Sequence, residues 1–350
     1  MRLFKYLSSL MVVVLLFSCN EDFTLIQPDF TLIANADNST VSLGSSIELN
    51  AVTNTGENVT ENATFLIDGV LSQSNIFSAS TIGSYQVIAQ YLGKSSEPIT
   101  IQFFDPSEVN FKKRVLIEDY TGTWCGFCTR VSYAISQIEE QTSNVVSVAI
   151  HRASDLPTNS DYDPFNFDSS ALEATLEAVG YPKGYLNRTI QWVTPEDFNI
   201  DQVLTLTQGD APKLGIKLKT EVEGTNANID VKVLFGQDYS NLRLVLYVLE
   251  NGLIYDQKNY TNYYGGENPI PNYVHNHVLR SCETSLFGDA LPNSETVSGN
   301  EFTRNFNFNL ASNIEDYSKL DFVAFLIDEN GKAVNVRKAG IGYDQDYELL

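Results

Sequence analysis

Two cysteines separated by two residues, in Trp124-Cys125-Gly126-Phe127-Cys128, constrain this 350-residue chain more than any other stretch. Ahead of them runs Val115-Leu116-Ile117, continuously apolar like a strand buried on both faces. Behind them Val131, Ile135 and Ile138 recur at steps of four and three, on one face of a helix. A strand, the cysteine pair and then a helix put Cys125 at a helix N-terminus, where unpaired N–H groups and the helix dipole stabilise a thiolate. In such places a cysteine pKa falls from about 8.5 to ~3.5–7.5. Cys125 is therefore the expected nucleophile and Cys128 the resolving thiol, with a Cys125–Cys128 disulfide as the oxidised form.

This order of elements predicts an α/β thioredoxin-like central domain over residues 106–209. Val145 to Ile150 reads as its second parallel strand. Ser170-Ala171-Leu172-Glu173 is a capping box opening a helix with Leu172, Leu176 and Val179 inward, closed by Gly180. Thr194, as N-cap before Pro195, opens another helix that ends at Gly209. Pro182 precedes a strand between these helices, so the Tyr181–Pro182 bond is expected to be cis and to face the cysteines. Trp124, Tyr181 and Pro182 would form the substrate groove. Strand alternation puts either Glu118 or Asp119 beneath the cysteines. Asp119, six residues before Cys125, is the chosen proton acceptor, because burial raises a carboxyl pKa towards neutrality.

The first residues bear on location. Arg2 and Lys5 precede the apolar run Leu10 to Phe17, and Cys19 follows Leu16-Phe17-Ser18. Residues 1–18 read as a secretory signal, too short for a span of roughly 20 residues. The ending resembles a bacterial lipobox, which makes Cys19 the lipidation site and residues 19–28 a tether. The expected location is a lipid anchor at the outer membrane, facing the periplasm or the cell surface. With 22 basic and 44 acidic side chains the net charge is −22, which argues against nucleic acid and anionic lipid headgroups as partners, since both require a basic face. Four cysteines are too few for a disulfide-stapled scaffold. Cys282 is left over and reads as a buried free thiol.

Residues 29–105 carry short alternating strands at Phe30–Ile33, Ser46–Asn50, Phe65–Ile67, Tyr85–Tyr91 and Ile99–Phe103. They predict an N-terminal immunoglobulin-like β-sandwich, with Tyr85 as a tyrosine corner and Val87 at the position of the second antibody cysteine. Residues 210–350 predict a C-terminal antiparallel β-sandwich. There Leu214, Ile216 and Leu218 alternate, Leu242–Leu249 ends at the hairpin signal Asn251-Gly252, and Phe322–Ile327 and Ala333–Val336 flank Asn330-Gly331.

The order lipobox, β-sandwich, Cys125 motif, Tyr181 to Arg188 and Asn276 to Arg280 resembles the Bacteroidetes outer membrane protein 28-related lipoproteins. The resemblance covers residues 110–350 and implies an outer-membrane lipoprotein, in a family sometimes described as adhesins or receptors. Two functions follow. The first is thiol–disulfide exchange with protein thiols or disulfides of the envelope. The second is a non-enzymatic surface binding protein in which the cysteine pair is a structural disulfide. A zinc site would need His151, His275, His277 or Cys282 as further ligands, and no metal or cofactor is expected. His151 reads as a hydrogen-bonded structural histidine, with lining of the cysteine site as the alternative, and the Asp161 to Asp168 loop reads as solvated.

Overall fold

The computed structural model describes residues 30–36, 40–105, 108–152, 158–177 and 180–350. Cys19, the signal segment and the tether lie outside these residues. So do Pro106 and Val179.

Alternation builds the N-terminal part. In Ile47–Thr53 every second side chain is buried, so Ile47, Leu49 and Ala51 face one core. This strand pairs with Leu32–Ala36 and Ile76–Phe77 in a three-stranded sheet. The opposing sheet runs Thr40–Ser42, Ile99–Phe104, Gly83–Tyr91, Thr64–Ile67, Val70–Leu71, with Lys94–Ser95 attached to Gly83–Tyr91. Val87, Ala89, Ile101 and Phe103 close the core from that side. The Tyr85 hydroxyl donates to the Thr81 carbonyl at 3.0 Å, the local bond a tyrosine corner makes.

The remainder centres on one nine-stranded sheet. Its order is Ile190–Gln191, Lys183–Leu186, Val115–Thr121, Val145–His151, Val278–Cys282, Arg243–Glu250, Leu320–Ile327, Ala333–Gly340, with Asp289–Ala290 also on Arg243–Glu250. Val115–Thr121 and Val145–His151 are parallel. Ala149 pairs with Val278 and its N–H donates to the His277 carbonyl, which joins residues on either side of position 210 into one sheet. Leu116, Val146, Val148, Tyr247 and Phe325 share a core on one face. On the other face, helix α1 (Thr129–Gln141) and Ile200–Leu206 cover one end. A three-stranded sheet of Leu214–Glu223, Asn226–Phe235 and Glu301–Asn309 covers the other end.

This sheet overturns the expectation of an α/β thioredoxin-like central domain beside a separate C-terminal sandwich. The described chain holds twenty-three strands against three α-helices, and no α/β central domain stands apart. The physical reason is legible in Arg243–Glu250, where Leu244 to Glu250 are all buried. A strand buried on both faces must lie inside a covered sheet, whereas an outer sandwich strand alternates.

Three local expectations also change. Pro195 is extended, with φ −77° and ψ 133°, so Glu196–Phe198 forms a single 3-10 turn and the α-helix begins only at Ile200. The Ser170 helix stops at Thr175, and Ser169 rather than Ser170 hydrogen-bonds Glu173. Asn251-Gly252 does not join a hairpin. Both edges of Arg243–Glu250 are already filled, so Leu253–Gln257 pairs instead with Ile270–His275 in a separate two-stranded sheet. Asn330-Gly331 does turn Leu320–Ile327 into Ala333–Gly340.

Candidate redox site

Val115, Ile117 and Asp119 lie on the α1 side of their strand, and Leu116, Glu118 and Tyr120 on the other. The alternation follows from the pleat: Val115 and Ile117 pack on Val131, Ala134, Ile135 and Ile138 of α1. Leu116 and Tyr120 join the opposite core. Glu118 there is buried against Arg188, 2.9 Å away, beside the Tyr247 hydroxyl. Asp119 is thus the carboxyl on the cysteine side. Burial first, then the neighbouring Glu196 charge, push its pKa well above the ordinary range, and Arg130 offsets part of this.

Cys125 and Cys128 form a disulfide at the start of α1. The turn is wound by the Cys125 N–H on the Gly122 carbonyl and the Cys128 N–H on the Cys125 carbonyl. Cys125 is only 5% exposed and Cys128 is buried. Trp124 donates from Nε1 to the Arg152 carbonyl at 3.0 Å and meets Tyr181 edge-on, ring centroids 5.5 Å apart. The Tyr181–Pro182 bond is cis, and Pro182 is buried. Through Trp124, next to Cys125 in the chain, Tyr181 is brought to the cysteine loop, and Asp119 lies on the α1 side of its strand.

A strap missed by sequence reasoning crosses the cysteine loop. The Lys258 N–H donates to the Thr123 carbonyl at 2.9 Å and the Tyr260 N–H to the Gly126 carbonyl at 2.6 Å. The Gln257 amide donates to the Gly122 and Cys125 carbonyls at 3.2 and 3.1 Å. Asn259 organises the strap. Its Oδ1 accepts from the Thr129 hydroxyl and the Thr261 N–H, and its Nδ2 donates to the Tyr263 and Glu267 carbonyls. Tyr263 stacks on Tyr133 of α1 at 4.1 Å. The available signal was the polar, aromatic run Asn259-Tyr260-Thr261-Asn262-Tyr263-Tyr264-Gly265-Gly266, too rich in turn residues to be a strand.

Between α1 and the hairpin that carries the strap lies a cavity of about 420 Å³, lined among others by Asp119, Ser132, Glu139 and Tyr273. All three histidines of the chain reach it. His151 holds Asp163 at 2.8 Å, and that carboxylate also accepts the Thr123 N–H at 2.7 Å. Burial opposes ionisation of Asp163, but His151 and the Thr123 and Phe165 N–H groups hold its pKa below the ordinary value. Asp163 is thus a buried anchor of the cysteine loop rather than a member of a solvated one. Burial and the nearby His151 push the His275 pKa down to about 3. His277 instead pairs with Glu139 at 3.4 Å, so the two histidines serve different partners. No group of three or more His, Cys, Asp or Glu side chains is placed to hold a metal among the described residues. Cys282 is half-buried, its thiol pKa raised by burial, and it donates to the Thr284 carbonyl at 3.3 Å.

The family described as outer membrane protein Omp28 matches residues 169–345. The structure of HBP35 of Porphyromonas gingivalis superposes with a TM-score of 0.50 at 18% identity, over 67% of this chain and 77% of that one. Likeness at that identity speaks of fold alone. A β-glucosidase from Kluyveromyces marxianus in complex with glucose reaches a TM-score of 0.19 at 10% identity, over 82% of this chain and 42% of that one, too low to imply a shared fold. No curated protein matches the chain. No helix among the described residues is long and apolar enough to cross a membrane.

Proposed function

This chain belongs to the outer membrane protein Omp28 family, and from that premise we propose that it exchanges disulfides with protein thiols of the cell envelope, anchored by lipid on Cys19. The observation that carries the reading is the Cys125–Cys128 disulfide at the N-terminus of a thirteen-residue helix, beside Trp124 and Tyr181, with Asp119 on the helix side. In the oxidised state a substrate thiolate attacks Cys125 Sγ and Cys128 leaves as a thiolate. A second substrate thiol then attacks the mixed disulfide and releases Cys125. The substrate gains one disulfide and the protein becomes a dithiol, with two protons and two electrons transferred. Run in reverse, Cys125 opens a substrate disulfide and Cys128 resolves it. A helix N-terminus favours the Cys125 thiolate in both directions, and Asp119 is the acceptor proposed for the Cys128 proton.

Reduction of insulin by the purified chain, with Cys125→Ser as control, tests this reading. Activity well above the variant is expected, and equal rates would remove it. The alternative is a surface binding protein with a structural disulfide. It is favoured by the low exposure of Cys125 and by the strap fastened across its loop. A reduction potential below about −300 mV would select it. Membership of an outer membrane protein family supports outer-membrane association. For the anchor, incorporation of labelled fatty acid is expected in the native chain and is lost in Cys19→Ser.

A further inference from the structure

Cys125 sits at the edge of a loop whose carbonyls an extended peptide could pair with, yet that edge is filled by the chain itself. Lys258 and Tyr260, two residues apart, donate backbone N–H groups to the Thr123 and Gly126 carbonyls, one on each side of Cys125. Main-chain hydrogen bonds of the kind an extended peptide makes are thus already satisfied there by the chain itself. Gly126 makes the approach possible, because a methyl group there would overlap the Tyr260 ring. Tyr260 also meets Phe127 edge-on at 5.5 Å, and both rings are about half exposed. The strap rides on the two-stranded hairpin Leu253–Gln257 and Ile270–His275, which is not part of the nine-stranded sheet. Such a unit lies at the low end of local stability.

We propose that Gln257–Thr261 is a built-in occupant of the polypeptide-pairing edge beside Cys125. A protein thiol or disulfide reaches the cysteine pair when this strap leaves that edge. The proposal rests on the exchange reading and names its regulation and its substrate class, an extended polypeptide carrying thiols. Small thiols need no paired edge and are therefore indifferent to the strap.

The test uses the full oxidised chain, its Tyr260→Ala variant and its Tyr260→Phe variant. Each is reduced either by dithiothreitol or by an extended synthetic peptide carrying two thiols. Tyr260→Ala removes the ring over Gly126 while leaving the core intact, since Tyr260 is 52% exposed. Its reduction by the peptide is expected to be about tenfold faster than that of the native chain, because the rate follows the open fraction. Reduction by dithiothreitol should change less than about twofold, since a small thiol does not draw on the open fraction. Tyr260→Phe keeps the ring and should match the native chain in both reactions. Equal peptide rates in Tyr260→Ala and the native chain would overturn the strap's role. Failure of dithiothreitol to open the pair in all three would overturn the exchange reading beneath it.

Discussion

Asp119 is a carboxyl whose pKa is raised well above its ordinary value by burial and then by the Glu196 charge, and its buried Oδ1 has no hydrogen-bond partner among the described residues. Its raised pKa contributes stability that is full below the ordinary value of 3.8 and is lost as pH rises towards the folded value. Asp119→Asn is therefore expected to melt higher than the native chain at pH 7, with the difference vanishing below pH 3.8. Melting curves across that range check it. His275 works in the opposite sense. With its pKa pushed down from 6.5 to about 3, stability falls as pH drops below 6.5, because the unfolded chain takes up the proton first. Urea titrations should show a slope of about 1.4 kcal/mol per pH unit between these values that His275→Phe lacks. Arg188 is a third case, buried against Glu118. Arg188→Met leaves that carboxylate unpaired and should cost about 3–5 kcal/mol in chemical denaturation. Adding Glu118→Gln should recover most of the loss.

At the scale of elements, helix α1 is held by one apolar face, whereas the strap is held by polar bonds. Ile138 is fully buried among Val115, Ile117 and Trp192 in the α1 core, and Ile138→Ala should cost about 2–5 kcal/mol. Asn259 holds the strap to itself and to Thr129. Asn259→Ala should speed hydrogen exchange at the Lys258 and Tyr260 amides by about tenfold or more while hardly moving the melting temperature, because the freed unit opens locally. Unchanged exchange at those amides would count against the strap being a separately opening element. The strand Val115–Thr121, α1 and the cysteine turn were legible in sequence, because a buried run and a 3.6-residue period are local signals. The late start of Ile200–Leu206 was not. An extended Pro195 competes with the N-cap reading of Thr194, and only tertiary context chooses between them.

The nine-stranded sheet governs the behaviour of the whole molecule. Val145–His151 is bordered by Val115–Thr121 on one side and by Val278–Cys282 on the other, so residues 106–209 alone would carry an unfinished apolar edge. A fragment spanning 106–209 should therefore aggregate or stay unfolded, whereas 106–350 should unfold in one cooperative transition. Circular dichroism and sedimentation of both fragments check it. A soluble, cooperatively folded 106–209 fragment would contradict the shared sheet as the stabilising unit.

By itself the sequence determined what local pattern can encode. That includes the cysteine pair before α1, the alternation that fills the N-terminal core, the Asn330-Gly331 turn, and the strong acidic balance. Tertiary structure alone decided which strands are neighbours, because pairing partners such as Ala149 and Val278 are far apart in the chain and share no local signal. It also decided that Asp119 rather than Glu118 lies on the α1 side, that Asp163 is buried, and that residues 257–261 lie across the cysteines. Hydrogen bonds to backbone carbonyls, like those the strap makes to Thr123 and Gly126, ask almost nothing of side-chain identity, so they leave no trace in sequence until the fold brings the two segments together.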